Sequence, residues 1–408
     1  MRFSRWLLAT IPFLLTACGG GGDPSGPGAM PLTNAPPVAT PPPASEATIA
    51  APVGRGELKS ATALASVPVG EIVAAVNTPG VKISGVAPRY SVLNWRLTYL
   101  TVDGNGNSVV ASGLVSAPDK PDGRESPVIS YQHGTIFKDA EAPSNALGAT
   151  EPTQVMASLG YIVVAADYVG YGASKGVQHP YLLSAPTAAA VNDLLTAARL
   201  WRQSSKKLGN GQLFLLGYSE GAYATMAAQR ALQADNSLHL GTLVASVAGA
   251  GPYDVGSTLD RALARAKDEN ALLGALINPG FLSRLGSGVR NEVRRAILKQ
   301  LLPDDADVSF QSTFLDNFLA DDVPAIDRMS NVHDWKPLLP FRLFHGRDDR
   351  TVPYKSSTVA LATMRANGAP ASQVSLTDCA ATPADHLPCV PLYFSLTMAH
   401  VASLARGL

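Results

Sequence analysis

Charge is scarce in this chain. Asp, Glu, Lys and Arg make up 16% of its 408 residues, below the usual quarter, and acidic and basic residues balance at 32 each. A nucleic-acid-binding domain carries a basic excess to neutralise phosphates. None is visible, so nucleic acid is not expected as a partner, and a neutral or apolar substrate fits better than a polyanion. Cysteine is scarcer still, at Cys18, Cys379 and Cys389. No C-x-x-C or H-E-x-x-H pattern occurs, so no metal site is expected, and no other cofactor is called for. Internal repeats are lacking too. The N-terminal apolar run, Trp6 to Leu15, is too short to cross a bilayer as a helix.

That run is instead expected to be targeting sequence. Arg2 and Arg5 precede it, and it ends in Leu15-Thr16-Ala17-Cys18. Residues 1–17 read as a signal peptide, and the ending looks like a bacterial lipobox, in which the cysteine is acylated and becomes the mature N-terminus. Cys18 is then a lipid anchor to a membrane, since two or more acyl chains hold stably. Gly19 is not the Asp associated with inner-membrane retention, so an exported outer-membrane lipoprotein is expected. Residues 18–55 comprise this cysteine and a Gly/Pro-rich tether that cannot build a core. In an oxidising compartment Cys379 and Cys389 are expected to pair.

Globular patterning begins near Gly56. A short helix is expected within Leu58 to Val76. Two β-rich runs, Arg96 to Val102 and Ser108 to Val115, flank D-G-N-G-N, a hairpin signal. Further strands are expected at Ser126–Gln132, Tyr161–Asp167, Gln212–Leu216, Leu243–Ala248, Phe341–Phe344 and Val374–Leu376. Helical spacing marks Ala185–Gln203, Ala222–Ala234 and Pro391–Leu408. Strands alternating with helices imply an α/β fold with a mostly parallel sheet, helices on both faces, and an antiparallel edge from the opening hairpin. From about 256 to 335 the pattern is helical and strand-poor. This segment is expected to be a cap inserted between late strands, dividing the core into 56–255 and 336–408.

The pattern G-x-S-x-G occurs twice, at 172–176 and 217–221. A nucleophile elbow needs a strand before it and a helix after it, with small neighbours around the serine. Ser219 follows Q-L-F-L-L and precedes A-Y-A-T-M-A-A-Q-R. Ser174 is followed by V-Q-H-P-Y, where proline opposes a helix, so it reads as part of a glycine-rich loop. A serine hydroxyl needs a base, and the base needs an orienting acid; in this architecture they follow the serine in the order acid, then histidine. Asp348 and Asp349, in H-G-R-D-D-R-T-V-P, are the candidate acids. His386, in the loop after the last strand, is the better base; His400 lies in a helical apolar pattern and reads as a core residue. A disulfide between Cys379 and Cys389 would close a short loop around His386 and position its imidazole. The oxyanion hole is expected from the backbone N–H of Glu220 and of Thr135, in His133-Gly134-Thr135.

These motifs resemble the secretory lipase family, the lipase-A-like α/β hydrolases. The resemblance runs from about Gly56 to the C-terminus: S-G-L-V-S-A-P, Y-Q-H-G-T, D-Y-V-G-Y-G-A-S-K-G with H-P-Y-L, G-Y-S-E-G, P-Y-D and H-G-R-D-D-R-T-V-P, in this order. It implies the α/β-hydrolase fold, Asp349 rather than Asp348 as the acid, and His386 as the histidine. Glu220 departs from it, since relatives often carry Gln there, and places a carboxylate beside the nucleophile.

The expected activity is hydrolysis of a small-molecule ester or lipid through an acyl-enzyme, by a lipase or esterase. Two alternatives compete: a proline-directed peptidase, with Asp321 and Asp322 as an amino-terminus anchor, and a non-catalytic envelope lipoprotein.

Overall fold

The computed structural model describes residues 46, 48–78, 87–121, 123–269, 281–301, 303 and 305–408. Cys18, the segment 1–17 and most of the tether lie outside the described residues.

One nine-stranded sheet organises the molecule, in the order β1-β2-β3-β5-β4-β6-β7-β8-β9. Strand β1 spans Leu58–Ala63, β2 Val92–Val102, β3 Ser108–Pro118, β4 Ser126–Gln132, β5 Ile162–Ala166, β6 Gly209–Tyr218, β7 Leu243–Gly249, β8 Phe341–His345 and β9 Val374–Asp378. The pairings β1–β2, β2–β3 and β3–β5 are antiparallel; all those from β5 through β4 to β9 are parallel. The hairpin between β2 and β3 turns where D-G-N-G-N predicts it: Asp103 Oδ1 accepts from the N–H groups of Asn105 and Asn107, each at 2.8 Å.

The short helix expected within Leu58 to Val76 is α1, Val69–Val76; strand β1, ahead of it, has no counterpart among the expected strands. Past Leu58, the residues of β1 are exposed, so no apolar alternation announces it. Backbone pairing to β2 holds this edge.

Both faces of the sheet are covered, and β6 shows why. Leu213 and Leu215 point into one core with α3 (Ser184–Ser205). Phe214 and Leu216 point into another with α1, α2 (Pro152–Ser158) and the last helix of the chain. Every residue of β4 and β5 is buried, as parallel strands sandwiched between helices require. Helix α4 (Glu220–Ala234) follows β6 directly.

Between β7 and β8 the described residues are mostly helical. They form α5 (Val255–Glu269), α6 (Ser287–Leu301), α7 (Thr313–Leu319) and α8 (Val323–Met329). Val255, Leu259, Leu263, Val293, Phe314 and Leu315 share one apolar cluster with Tyr223 and Met226 of α4, so this insertion packs onto the helix that starts at Ser219. A strap from it, Ser309–Gln311, pairs with the backbone of His179. Helices α9 (Tyr354–Ala366) and α10 (Val390–Leu404) complete the core.

Candidate active site

Ser219 sits between the end of β6 and the start of α4, with φ 59° and ψ −125°. A non-glycine residue held there costs about 1–3 kcal/mol, so the surroundings must enforce it. The Ser219 N–H donates to Gly249 O at 2.8 Å, tying the turn to the end of β7. The two glycines of the pentapeptide are sterically required. A Cβ on Gly217 would collide with the Gly221 carbonyl, and one on Gly221 with the Gln132 carbonyl.

Ser219, His386 and Asp349 converge. The Ser219 hydroxyl donates to His386 Nε2 at 2.9 Å, and His386 Nδ1–H donates to Asp349 Oδ2 at 2.6 Å. Asp349 follows β8, and its Oδ1 accepts from the N–H groups of Thr351 and Val352, each at 2.8 Å. Burial pushes its carboxyl pKa up, but hydrogen bonds from His345 and His386 outweigh this and hold it at about 2. The acid is therefore a carboxylate at neutral pH, able to fix the tautomer of His386 and stabilise it when protonated. An imidazole so placed can take the serine proton.

The histidine loop, between β9 and α10, is braced from several sides. Cys379 and Cys389 form a disulfide across it, with Cα atoms 5.9 Å apart. Asp348 accepts from the Ala384 N–H at 2.9 Å, and Asp385 receives Arg350 Nε at 2.8 Å. Tyr218 O–H donates to the His386 carbonyl at 2.7 Å. The two adjacent aspartates thus divide their roles, one facing the imidazole and the other holding its loop.

The loop after β4 lies against the elbow. A Cβ placed on Gly134 would be 3.4 Å from the Tyr218 carbonyl oxygen and 3.8 Å from Ser219 Cβ. The backbone N–H groups of Thr135 and Glu220 donate to no acceptor among the described residues, so both are free for a ligand oxygen. His133 braces this loop. Its Nδ1–H donates to Gly134 O at 2.7 Å, its ring stacks on Tyr168 at 4.1 Å, and burial pushes its pKa down.

Ser174 lies in a short 3-10 turn after β5. It is buried, accepts from the Gly170 N–H at 3.0 Å and donates to Tyr171 O at 2.9 Å. His400 is half-buried rather than a core residue; it accepts from Arg342 Nε at 2.8 Å on the outer face of α10. No cluster of metal-ligating side chains occurs among the described residues.

One contact has no counterpart in the motif reading. His345 is fully buried, and its Nε2–H donates to both Asp349 Oδ2 (3.1 Å) and Val352 O (3.0 Å). Ser357 Oγ–H donates to its Nδ1 at 2.7 Å. The only sequence signal is its place at the head of H-G-R-D-D, four residues before the acid.

A mostly parallel, doubly covered sheet with a serine on a strand–turn–helix elbow is the α/β-hydrolase fold. The profile of the alpha/beta hydrolase family matches residues 144–391, more than half of the chain, and the protein belongs to that family. Among solved structures it is similar to the ligand-bound rice cell wall degrading esterase LipA from Xanthomonas oryzae: 24% identity, 87% of this chain and 100% of that one covered, TM-score 0.64. It is also similar to Candida antarctica lipase A in its closed state: 17% identity, 82% and 79% covered, TM-score 0.54. At these identities the likeness is one of fold. No curated protein matches the sequence.

Proposed function

We propose that the protein is a serine carboxylic ester hydrolase, an esterase or lipase acting on an apolar ester. The observation that carries this reading is the hydrogen-bonded series from Ser219 Oγ through His386 to Asp349, at 2.9 and 2.6 Å. Ser219 attacks the ester carbonyl as His386 takes its proton. The N–H groups of Thr135 and Glu220 hold the oxyanion. His386 then protonates the leaving alcohol, and water releases the acid from the acyl-enzyme by the same steps in reverse. No cofactor enters these steps. The helical insertion, packed on α4 through an apolar cluster, is suited to line an acyl-binding surface.

The peptidase alternative needs a free acidic anchor. Asp321 instead accepts from the Ser283 N–H at 2.8 Å, and Asp322 caps α8 by accepting from the Ala325 N–H at 3.0 Å. The ester reading therefore stands ahead of it. A fluorophosphonate probe should label the wild type and not Ser219→Ala, which also separates an enzyme from a non-catalytic lipoprotein. Nitrophenyl esters should be turned over and aminoacyl amides not; the opposite pattern would overturn the assignment.

The proposal includes an envelope location, with Cys18 acylated and the domain tethered to the outer membrane. Fractionation checks it: Cys18→Ser should release the protein from membranes, and a variant that stays bound would refute the anchor.

A further inference from the structure

The departure at position 220 has a partner. Glu220, the first residue of α4, has a buried carboxylate, and its Oε1 lies 2.7 Å from Nε2 of His179, which is 1% exposed. The other ring nitrogen, Nδ1, is 2.9 Å from the carbonyl oxygen of Val169. A carbonyl only accepts, so Nδ1 carries a hydrogen. The contact between Nε2 and Oε1 then needs one proton, whether held as imidazolium with carboxylate or as imidazole with carboxylic acid. In both forms the pair is net neutral.

The surroundings supply no substitute for that proton. Tyr168, Tyr171, Tyr181 and His133 face the pair. Burial raises the tyrosine pKa values and lowers that of His133, so all four are neutral. Phe310 of the insertion closes another side, its ring 5.3 Å from that of His179. His179 itself is fixed by its backbone: its N–H donates to Ser309 O at 2.7 Å, and its carbonyl accepts from Gln311 N–H at 2.8 Å. Gly170, at φ +103°, lets the preceding loop close onto it, where a Cβ would lie 2.9 Å from the His179 backbone N.

We propose that His179 is a positioning residue for the oxyanion site: it neutralises the Glu220 carboxylate and, through it, anchors the first residue of α4, whose N–H meets the developing oxyanion. This rests on the reading of Ser219 as the nucleophile. The physical need is direct. An uncompensated carboxylate beside Ser219 would oppose the negative charge that forms on the substrate oxygen. A glutamine at 220 raises no such problem, so histidine at 179 matters for charge only when glutamate stands at 220.

A double-mutant cycle tests this. In the wild-type background His179→Ala should lower kcat for a short nitrophenyl ester by about 10- to 100-fold, with KM changed less. In the E220Q background the same substitution should cost less than about threefold. Equal losses in the two backgrounds, with folding checked by circular dichroism, would overturn the proposal, since a packing role for His179 is indifferent to charge at 220. If His179→Ala does not fold, imidazole 15N resonances decide: those of His179 should shift in Glu220→Gln, and unchanged resonances would overturn the pairing. Wild-type protein that neither takes the fluorophosphonate probe nor hydrolyses esters would remove the nucleophile reading instead, while the 15N measurement would still decide the pair.

Discussion

At the scale of single residues, Asp349 carries the most. It receives two imidazoles and two backbone N–H groups, and its pKa falls from 3.8 to about 2. A carboxyl depressed on folding stabilises the protein by about 2 kcal/mol where it is ionised in both states. That contribution is complete above about pH 4 and is lost as pH falls toward 2. Asp349→Asn should therefore unfold in urea with a shallower acid dependence over this window than the wild type, and lose ester turnover by about three to four orders of magnitude. His345 should act through the same carboxylate. With His345→Ala, Asp349 loses one donor, its pKa rises, and the acid loss of stability should begin at higher pH. Ser219 and His386 can be picked from the order of motifs along the chain, whereas Asp349 is separated from Asp348 only by the resemblance. His345 and His179 cannot be picked in this way. Each reads as an isolated histidine until the fold brings a carboxylate to it across 4 and 41 residues respectively.

At the scale of elements, the histidine loop shows how several modest constraints share one task. Closing its short span by the Cys379–Cys389 bridge is worth about 3 kcal/mol in the loop-entropy account. Yet Tyr218, Asp348 and Arg350 hold the same loop independently. Cys379→Ser/Cys389→Ser should thus lower the thermal midpoint clearly while reducing kcat/KM by less than about threefold at a temperature where the protein is folded. A larger loss would mean that the bridge itself sets the imidazole. The elements differ in how legibly they are written. Strands β4 to β7 announce themselves as short, mostly apolar runs, because burial on both faces favours apolar residues. The hairpin shows in its turn residues. The edge strand β1 is silent, because its stability comes from backbone pairing rather than side-chain burial.

At the scale of the whole molecule, strand order places the site. Strand β5 lies on one side of β4 and β6 on the other. Right-handed crossovers in opposite directions then put α2 and α3 on opposite faces, as the two cores show. The C-terminal ends of β4 and β6 are thus the point where the chain switches direction, the place at which open α/β sheets bind ligands. Thr135 follows one of these strands and Ser219 the other. Phe214, fully buried in β6, belongs to this scaffold. Phe214→Ala should cost about 3–5 kcal/mol, seen as a lower urea midpoint, with kcat/KM within a few-fold of wild type where the protein remains folded. The insertion reaches the site by two routes, its apolar cluster on α4 and its strap on His179.

Sequence alone determined the α/β class, most of the strands and the strand–serine–helix elbow. These are local properties: apolar periodicity, turn chemistry, and the small residues a tight elbow tolerates. Tertiary structure decided which aspartate faces the imidazole, how the sheet is ordered, and what partners Glu220. Those depend on side chains far apart in the chain meeting in a buried space, where each polar group must find a partner or pay for its desolvation.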